Sequence, residues 1–202
     1  MTLEITLATF NLAKAERLQS LCDDLPVRFR GLNQPLPMVN ESSETHLGNA
    51  IAKAIGWSRA VTGVALASDG GLVIPSLGDG WESLLTRRAT GVDVTDAERA
   101  RRLLARMRDI TAGLRGAYWT EAIAVALDGK LFCAWETDGM LGRIGDEFRQ
   151  DPIGPPGFWA DGVWETTEGK KRWELNASER LGSADPWAKL HGPVNRFLAR
   201  MV

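Results

Sequence analysis

Apolar and polar positions alternate over residues 3–9, "LEITLAT", and the run is rich in β-branched side chains, which predicts a strand. After Asn11 the period changes. Leu12, Ala15, Leu18 and Leu21 recur at helical spacing, so the chain opens as strand, short turn and helix. A proline-rich polar stretch, "FRGLNQPLPMVNESSE", reads as a connector. A long helix is expected from Ser43 or Glu44, with Leu47, Ala50, Ile51 and Ala54 on one face and Gly63 at its end. "VALASDGGLVI" then predicts a short buried strand over 64–67, a sharp turn from Ser68 to Gly71, and a second apolar run over 72–74. "TDAE" at 95–98 is a capping box for a helix whose stripe is Leu103, Leu104, Met107 and Ile110. Two β-rich runs flank Asp128-Gly129, a tight-turn pair, and predict a hairpin. A segment rich in glycine, proline and aromatics follows. A last helix is expected from Asp185-Pro186, weakened by Gly192-Pro193. Early alternation of strands and helices with a later hairpin predicts an α/β fold with a mixed sheet.

Composition narrows the function classes. The chain has 202 residues, is 44% hydrophobic and 25% charged, and carries a net charge of −2. No overall field draws it to nucleic acid or to an anionic membrane. The arginines at 99, 101, 102, 106 and 108 read as a solvated helix face rather than a polyanion site. Cys22 and Cys133 lack metal-ligand spacing and are expected as buried free thiols of a reducing compartment. With no signal-peptide pattern and no apolar run of bilayer length, the expected location is the cytoplasm.

Four polar clusters fall where strands or loops meet helices. Thr9, Asn11 and Lys14 sit at a strand end and on the first turn of a helix, where free N–H groups and a lysine suit phosphate; Asn11 as a plain helix cap is the competing reading. Glu41 and Glu44 precede the second helix, and Asn49 and Lys53 lie one turn apart on it. Carboxylates near a lysine suit Mg²⁺ and phosphate together, against a capped helix with a surface Asn–Lys pair. Asp69 could hold a hard cation or activate water, with Gly70 and Gly71 allowing close approach, or could make an Asx turn. Phe158, Trp159 and Trp164 with Asp161 could hold a purine-like ring, or could be core.

In this order the clusters resemble the inosine-triphosphate pyrophosphatase family over nearly the whole chain. Thr9, Asn11 and Lys14 match its Ser/Thr-x-Asn-x-x-Lys. Glu41, Asn49-Ala50 and Lys53-Ala54 match its next motif, and "ASDGGL" keeps the second acid of Ala-Asp-Asp-Ser-Gly-Leu as Asp69. "GFWADG" keeps Gly157, Phe158 and Asp161, and "EGKKRWEL" keeps Glu168, Gly169, Lys170, Glu174 and Leu175. Ser68 stands where the family has its first Asp, Gly48 where it has a Glu before Asn-Ala, and Ala160 and Gly162 around the base-reading Asp161. The C-terminal Ser-His-Arg is missing, with "KLH", residues 189–191, in its place.

The resemblance implies an elongated mixed sheet flanked by helices, a single domain over 1–202 with two lobes and one cleft. It implies a Mg²⁺-dependent hydrolysis of a nucleoside triphosphate to monophosphate and pyrophosphate. Asp69 and Lys14 would be catalytic, and Glu41 and Asp69 would hold the metal. Thr9, Asn11, Lys14 and Lys53 would bind phosphate, and Phe158, Asp161, Lys170 and His191 the base. It further implies a homodimer with no nucleic-acid or membrane partner. The alternatives are a catalytically weak nucleotide-binding protein on the same fold, and a relative recruited to a specialised nucleotide.

Overall fold

The computed structural model describes residues 2–30, 39, 42–81, 83–85, 94–149, 159–176, 178–179 and 185–202. In chain order the elements are β1 (Leu3–Leu7), α1 (Leu12–Ser20), β2 (Val27–Arg30), α2 (His46–Val61), β3 (Val64–Val73), α3 (Asp96–Arg106), β4 (Gly116–Leu127), β5 (Lys130–Ile144), β6 (Trp164–Thr166) and α4 (Pro186–Leu198), with short 3-10 turns between some of them. The six strands order as β2-β1-β3-β4-β5-β6. β1 runs parallel to β2 and β3, whereas β6 is antiparallel to β5, so the sheet is mixed and the fold is α/β. The β4–β5 hairpin turns at Asp128 and Gly129, both at positive φ (50° and 79°), as a tight two-residue turn requires. No helix among the described residues is long and apolar enough to cross a membrane.

Two compact units divide the chain. The first comprises Met1–Gly70, Glu121–Thr137 and Pro186–Val202, and the second Gly71–Thr120 and Asp138–Asp185. In the first unit the period of two along the strands builds two different faces. Ile5, Leu7, Val64, Leu66, Ile123 and Val125 face Leu18 and Leu21 at α1 and Leu190, Val194 and Leu198 of α4. The opposite face is nearly all alanine: Ala8, Ala65, Ala67, Ala122, Ala124 and Ala126 meet Ala50, Ala54 and Trp57 of α2. Side chains this small let α2 lie close on the sheet, which matters for the site below. In the second unit Leu72, Ile74, Leu103, Met107, Ile144, Val163 and Trp164 form a separate core. The Trp81 indole donates to the Leu72 carbonyl at 2.7 Å there.

Several expectations change. No turn interrupts β3: one ten-residue strand passes through Ser68, Asp69, Gly70 and Gly71, and neither glycine has a positive φ. The strand lies between β1 and β4 in the sheet, with β1 pairing at Val64, Ala65 and Leu66 before it ends at Leu7, and continuation of the strand outweighs the glycines' freedom to turn. α2 begins at His46, because the Thr45 hydroxyl caps it by accepting from the Gly48 N–H at 3.0 Å. It ends at Val61 with Thr62 in the left-handed region. α4 continues through Pro193, held by its buried stripe of Leu190, Val194 and Leu198. Arg99 is buried and pairs with Asp96, unlike Arg101 and Arg102, which pair with Glu98 at the surface. Cys22 is buried as expected, but Cys133 is only half-buried.

Candidate functional site

Asp69 sits on the alanine face of β3, since Ala65 and Ala67 precede it at the period of two. The helix packed on that face is α2. His46 on its first turn and Lys53 two turns later share one side of the helix. Both reach the same carboxylate: His46 Nδ1 lies 2.8 Å from Asp69 Oδ2, and Lys53 Nζ lies 2.9 Å from Oδ1. Asp69 is 9% exposed. Burial by itself would raise its pKa. The hydrogen bond from His46, the charges of Lys14 and Lys53, and the Lys53 hydrogen bond outweigh it and hold the carboxyl at about 2. The carboxylate can therefore only accept, so Nδ1 of His46 carries the proton and donates it.

The other sheet face holds a second pair. Lys14, on the first turn of α1, places Nζ 3.7 Å from Glu121 Oε1 at the start of the buried run of β4. Burial pushes the Glu121 carboxyl up, Lys14 pulls it down, and the negative charge of Asp69 pushes it up again. Lys14 thus acts on both acids. Two lysines, two carboxylates and one imidazole form one electrostatic set within the first unit.

The loop before α1 is ordered by its own side chains. Thr9 Oγ accepts from the Asn11 N–H at 3.1 Å, and Asn11 Oδ1 accepts from the Lys14 N–H at 3.2 Å. Asn11 is therefore the helix cap that the competing reading assigned it. Its amide nitrogen and the Thr9 hydroxyl hydrogen point to no partner through these two bonds, which use only the oxygens. Asn49 is buried, and its Oδ1 accepts from the Ser43 N–H at 3.1 Å, tying the preceding loop to α2. Ser43 also explains Gly48: a Cβ there would lie 1.9 Å from Ser43 Oγ and 2.7 Å from its Cβ. No side chain fits at 48 while Ser43 holds that place.

Comparison with known proteins decides the family. The model of the Ham1 family matches residues 5–173. The chain belongs to the Ham1 family. It is 32% identical over 179 residues to a protein of Symbiobacterium thermophilum named dITP/XTP pyrophosphatase, covering 88% of this chain and 86% of that one. A Streptomyces avermitilis protein of the same name is 32% identical over 184 residues, covering 87% and 88%. The fold matches a HAM1 protein from Coxiella burnetii with a TM-score of 0.77 and 26% identity, over 99% of this chain and 98% of that one.

Within this Ham1 chain, Lys14, Lys53 and Asp69 come together, with Thr9 and Asn11 on the loop that starts α1. Glu41 and Phe158 lie outside the described residues. Asp161 belongs to the second unit, where Arg172 Nε is 3.7 Å from its Oδ2, and Lys170 of that unit pairs at the surface with Glu179 at 2.8 Å. His191 is exposed on α4 in the first unit. Two site residues escaped the sequence reading. His46 stands seven residues before Lys53, a spacing that shares a helix face. Glu121 is the one acid within "TEAIAVAL", where a buried strand has no structural use for a charge.

Proposed function

We propose that this protein is a nucleoside triphosphate pyrophosphatase that hydrolyses the α–β phosphate bond of an aberrant or modified purine-like nucleotide. The products are a nucleoside monophosphate and pyrophosphate. What carries this reading is the buried, ionised Asp69, gripped by His46 and Lys53 and acted on by the charge of Lys14, in a chain whose relatives are named dITP/XTP pyrophosphatases. Lys14 and Lys53 bind the triphosphate oxygens and offset charge developing on the leaving pyrophosphate. The Thr9 hydroxyl and the Asn11 amide add donors beside the N-terminus of α1, because their oxygens are already occupied by the backbone. Asp69 orients the water that attacks the α-phosphorus. His46 keeps the carboxylate fixed while Lys53 exchanges it for phosphate. Phe158, Asp161, Lys170 and His191 remain the proposed base contacts.

The donors suit a hard divalent cation such as Mg²⁺. The Asp69 carboxyl, held at about 2, is ionised at neutral pH and offers hard oxygen donors. Asp69 and Glu41 would hold the ion. When bound, it neutralises charge on the phosphate oxygens. The same resemblance carries the proposal of a cytoplasmic homodimer, which light scattering tests for its assembly state.

Ser68 and Gly48, standing where the resemblance places acids, favour a second reading: nucleotide binding with weak turnover. One experiment separates the two. Pyrophosphate release is measured with Mg²⁺ on inosine, xanthosine, guanosine, adenosine and pyrimidine triphosphates. Turnover of one or more supports the pyrophosphatase. Binding of the panel without pyrophosphate release refutes it in favour of the binder.

A further inference from the structure

Glu121 is held in a way that the roles above leave unexplained. It is 5% exposed, and its Oε1 has no hydrogen-bond partner among the described residues. Everything that follows it in β4, from Ala122 to Ala126, is apolar and buried. A carboxylate in that place costs stability that an apolar side chain would not, unless a charge offsets it. Lys14 supplies that charge from α1. Its Nζ lies 3.7 Å from Oε1, near enough for an ion pair and too far for a direct hydrogen bond.

The two partners differ in freedom. Lys14 carries its ammonium on a flexible four-carbon stem from the first turn of α1, next to Asn11, and its side chain is 24% exposed. It can turn to a ligand at the start of that helix. Glu121 cannot follow, because β4 lies between β3 and β5 in the sheet. Leu66 of β3 and Ile123 of β4 face the core made by α1 and α4. Ser68 is two residues on from Leu66 and Glu121 two residues back from Ile123, so both lie on that face. The serine is neutral and offers no charge in place of Lys14. The other charged groups that act on Glu121 are Asp69 of β3, Arg17 of α1 and His46 of α2. Asp69 opposes its ionisation, and Arg17 and His46 favour it more weakly than Lys14 does. The Arg17 guanidinium lies over the Trp187 ring, 5.6 Å from its centre, and His46 is hydrogen-bonded to Asp69.

We propose that Glu121 is a positioning residue that holds Lys14 before nucleotide binds, and that it takes up a proton from solvent when a triphosphate draws the lysine to its own oxygens. This rests on the pyrophosphatase reading for the role of Lys14 at phosphate. The exchange balances: the ammonium passes from carboxylate to phosphate, and a solvent proton neutralises the carboxylate left behind. Incoming phosphates add negative charge where Asp69 already opposes ionisation, so burial and both charges push Glu121 the same way. Nucleotide affinity is thereby linked to pH. Uptake of one proton weakens binding by up to about tenfold for each unit that pH rises.

The probe is the α,β-methylene analogue of inosine triphosphate, with Mg²⁺ present. It is titrated calorimetrically at about pH 8, where its terminal phosphate is ionised, in two buffers of different ionisation enthalpy. The difference in heat between the buffers gives the protons taken up. The wild type should take up more than Glu121→Gln does, by up to about one proton per nucleotide, and its affinity should fall more steeply between about pH 7 and pH 9. Equal uptake in the two proteins would overturn the exchange, even if Glu121→Gln changed the affinity by misplacing Lys14. If Glu121→Gln does not fold, infrared difference spectra of the wild type with and without the analogue take its place. A new protonated-carboxyl band supports the proposal, and its absence overturns it. Pyrophosphate release from the ordinary triphosphates is scored alongside. Proton uptake through Glu121 without release from any of them refutes the pyrophosphatase and leaves the exchange standing. Release with uptake indifferent to residue 121 does the reverse.

Discussion

Asp69→Asn should separate the two things that this carboxylate does. The amide keeps the shape. Its oxygen can still accept from Lys53, and its nitrogen can donate to His46 once the imidazole changes tautomer, so the fold should survive. The charge is lost. The carboxyl sits at about 2 in the folded protein and near 3.9 in an unfolded chain, a difference that corresponds to about 2–3 kcal/mol of stability at pH 7. The side chain is only 12% exposed, so solvent screening removes little of this. For a chain of this size the variant should melt about 4–12 °C lower at pH 7. The sign follows from a depressed acid: the contribution is complete above the unfolded value and disappears as pH falls through the folded one. The gap between wild type and variant in urea unfolding should therefore close between about pH 4 and pH 2. Turnover should drop by about 10²–10⁴-fold, while affinity for a non-hydrolysable triphosphate changes far less. A stability gap of the same size at pH 2.5 and pH 7 would refute the electrostatic reasoning. A variant keeping more than about a tenth of wild-type turnover would remove Asp69 from the mechanism.

Lys14→Ala should weaken triphosphate binding more than monophosphate binding in calorimetric titrations; equal weakening of both would move Lys14 away from the β- and γ-phosphates. Gly142→Ala should destabilise the second unit by about 1–3 kcal/mol in urea unfolding, because its Cβ would lie 2.3 Å from the Glu165 carbonyl oxygen and 2.7 Å from the Trp164 ring; a neutral effect would mean that β6 moves aside freely. Thiol titration at pH 8 should show Cys133 reacting in the folded protein while Cys22 stays silent until unfolding. Burial, aided by Asp23, pushes the Cys22 thiol up to about 12. Two equally fast thiols would contradict the packing around α1.

Local chemistry was legible in the chain itself. Asn11 caps α1, Thr95 caps α3 by accepting from Glu98, and Asp128-Gly129 turns the hairpin, since each depends on groups within a few residues of one another. The order of the polar motifs was equally readable, and the family match over residues 5–173 agrees with it. What happens to Asp69-Gly70-Gly71 was not. Two glycines signal a turn in isolation, and only their place within a ten-residue sheet strand, paired with segments far away in sequence, keeps them extended. Nor could the chain show that His46 and Lys53 close on Asp69. That contact depends on a nearly all-alanine sheet face letting α2 approach, a property of β3, β4 and Ala8 taken together. Glu121 is the clearest case. As a letter it is one acid in an apolar run; tertiary structure sets it beside Lys14, 107 positions away, and on the same face as Ser68. Capping and turn chemistry act over a few ångströms along the backbone, so sequence determines them. Charge pairing acts through space, so only the folded sheet decides which acid meets which lysine.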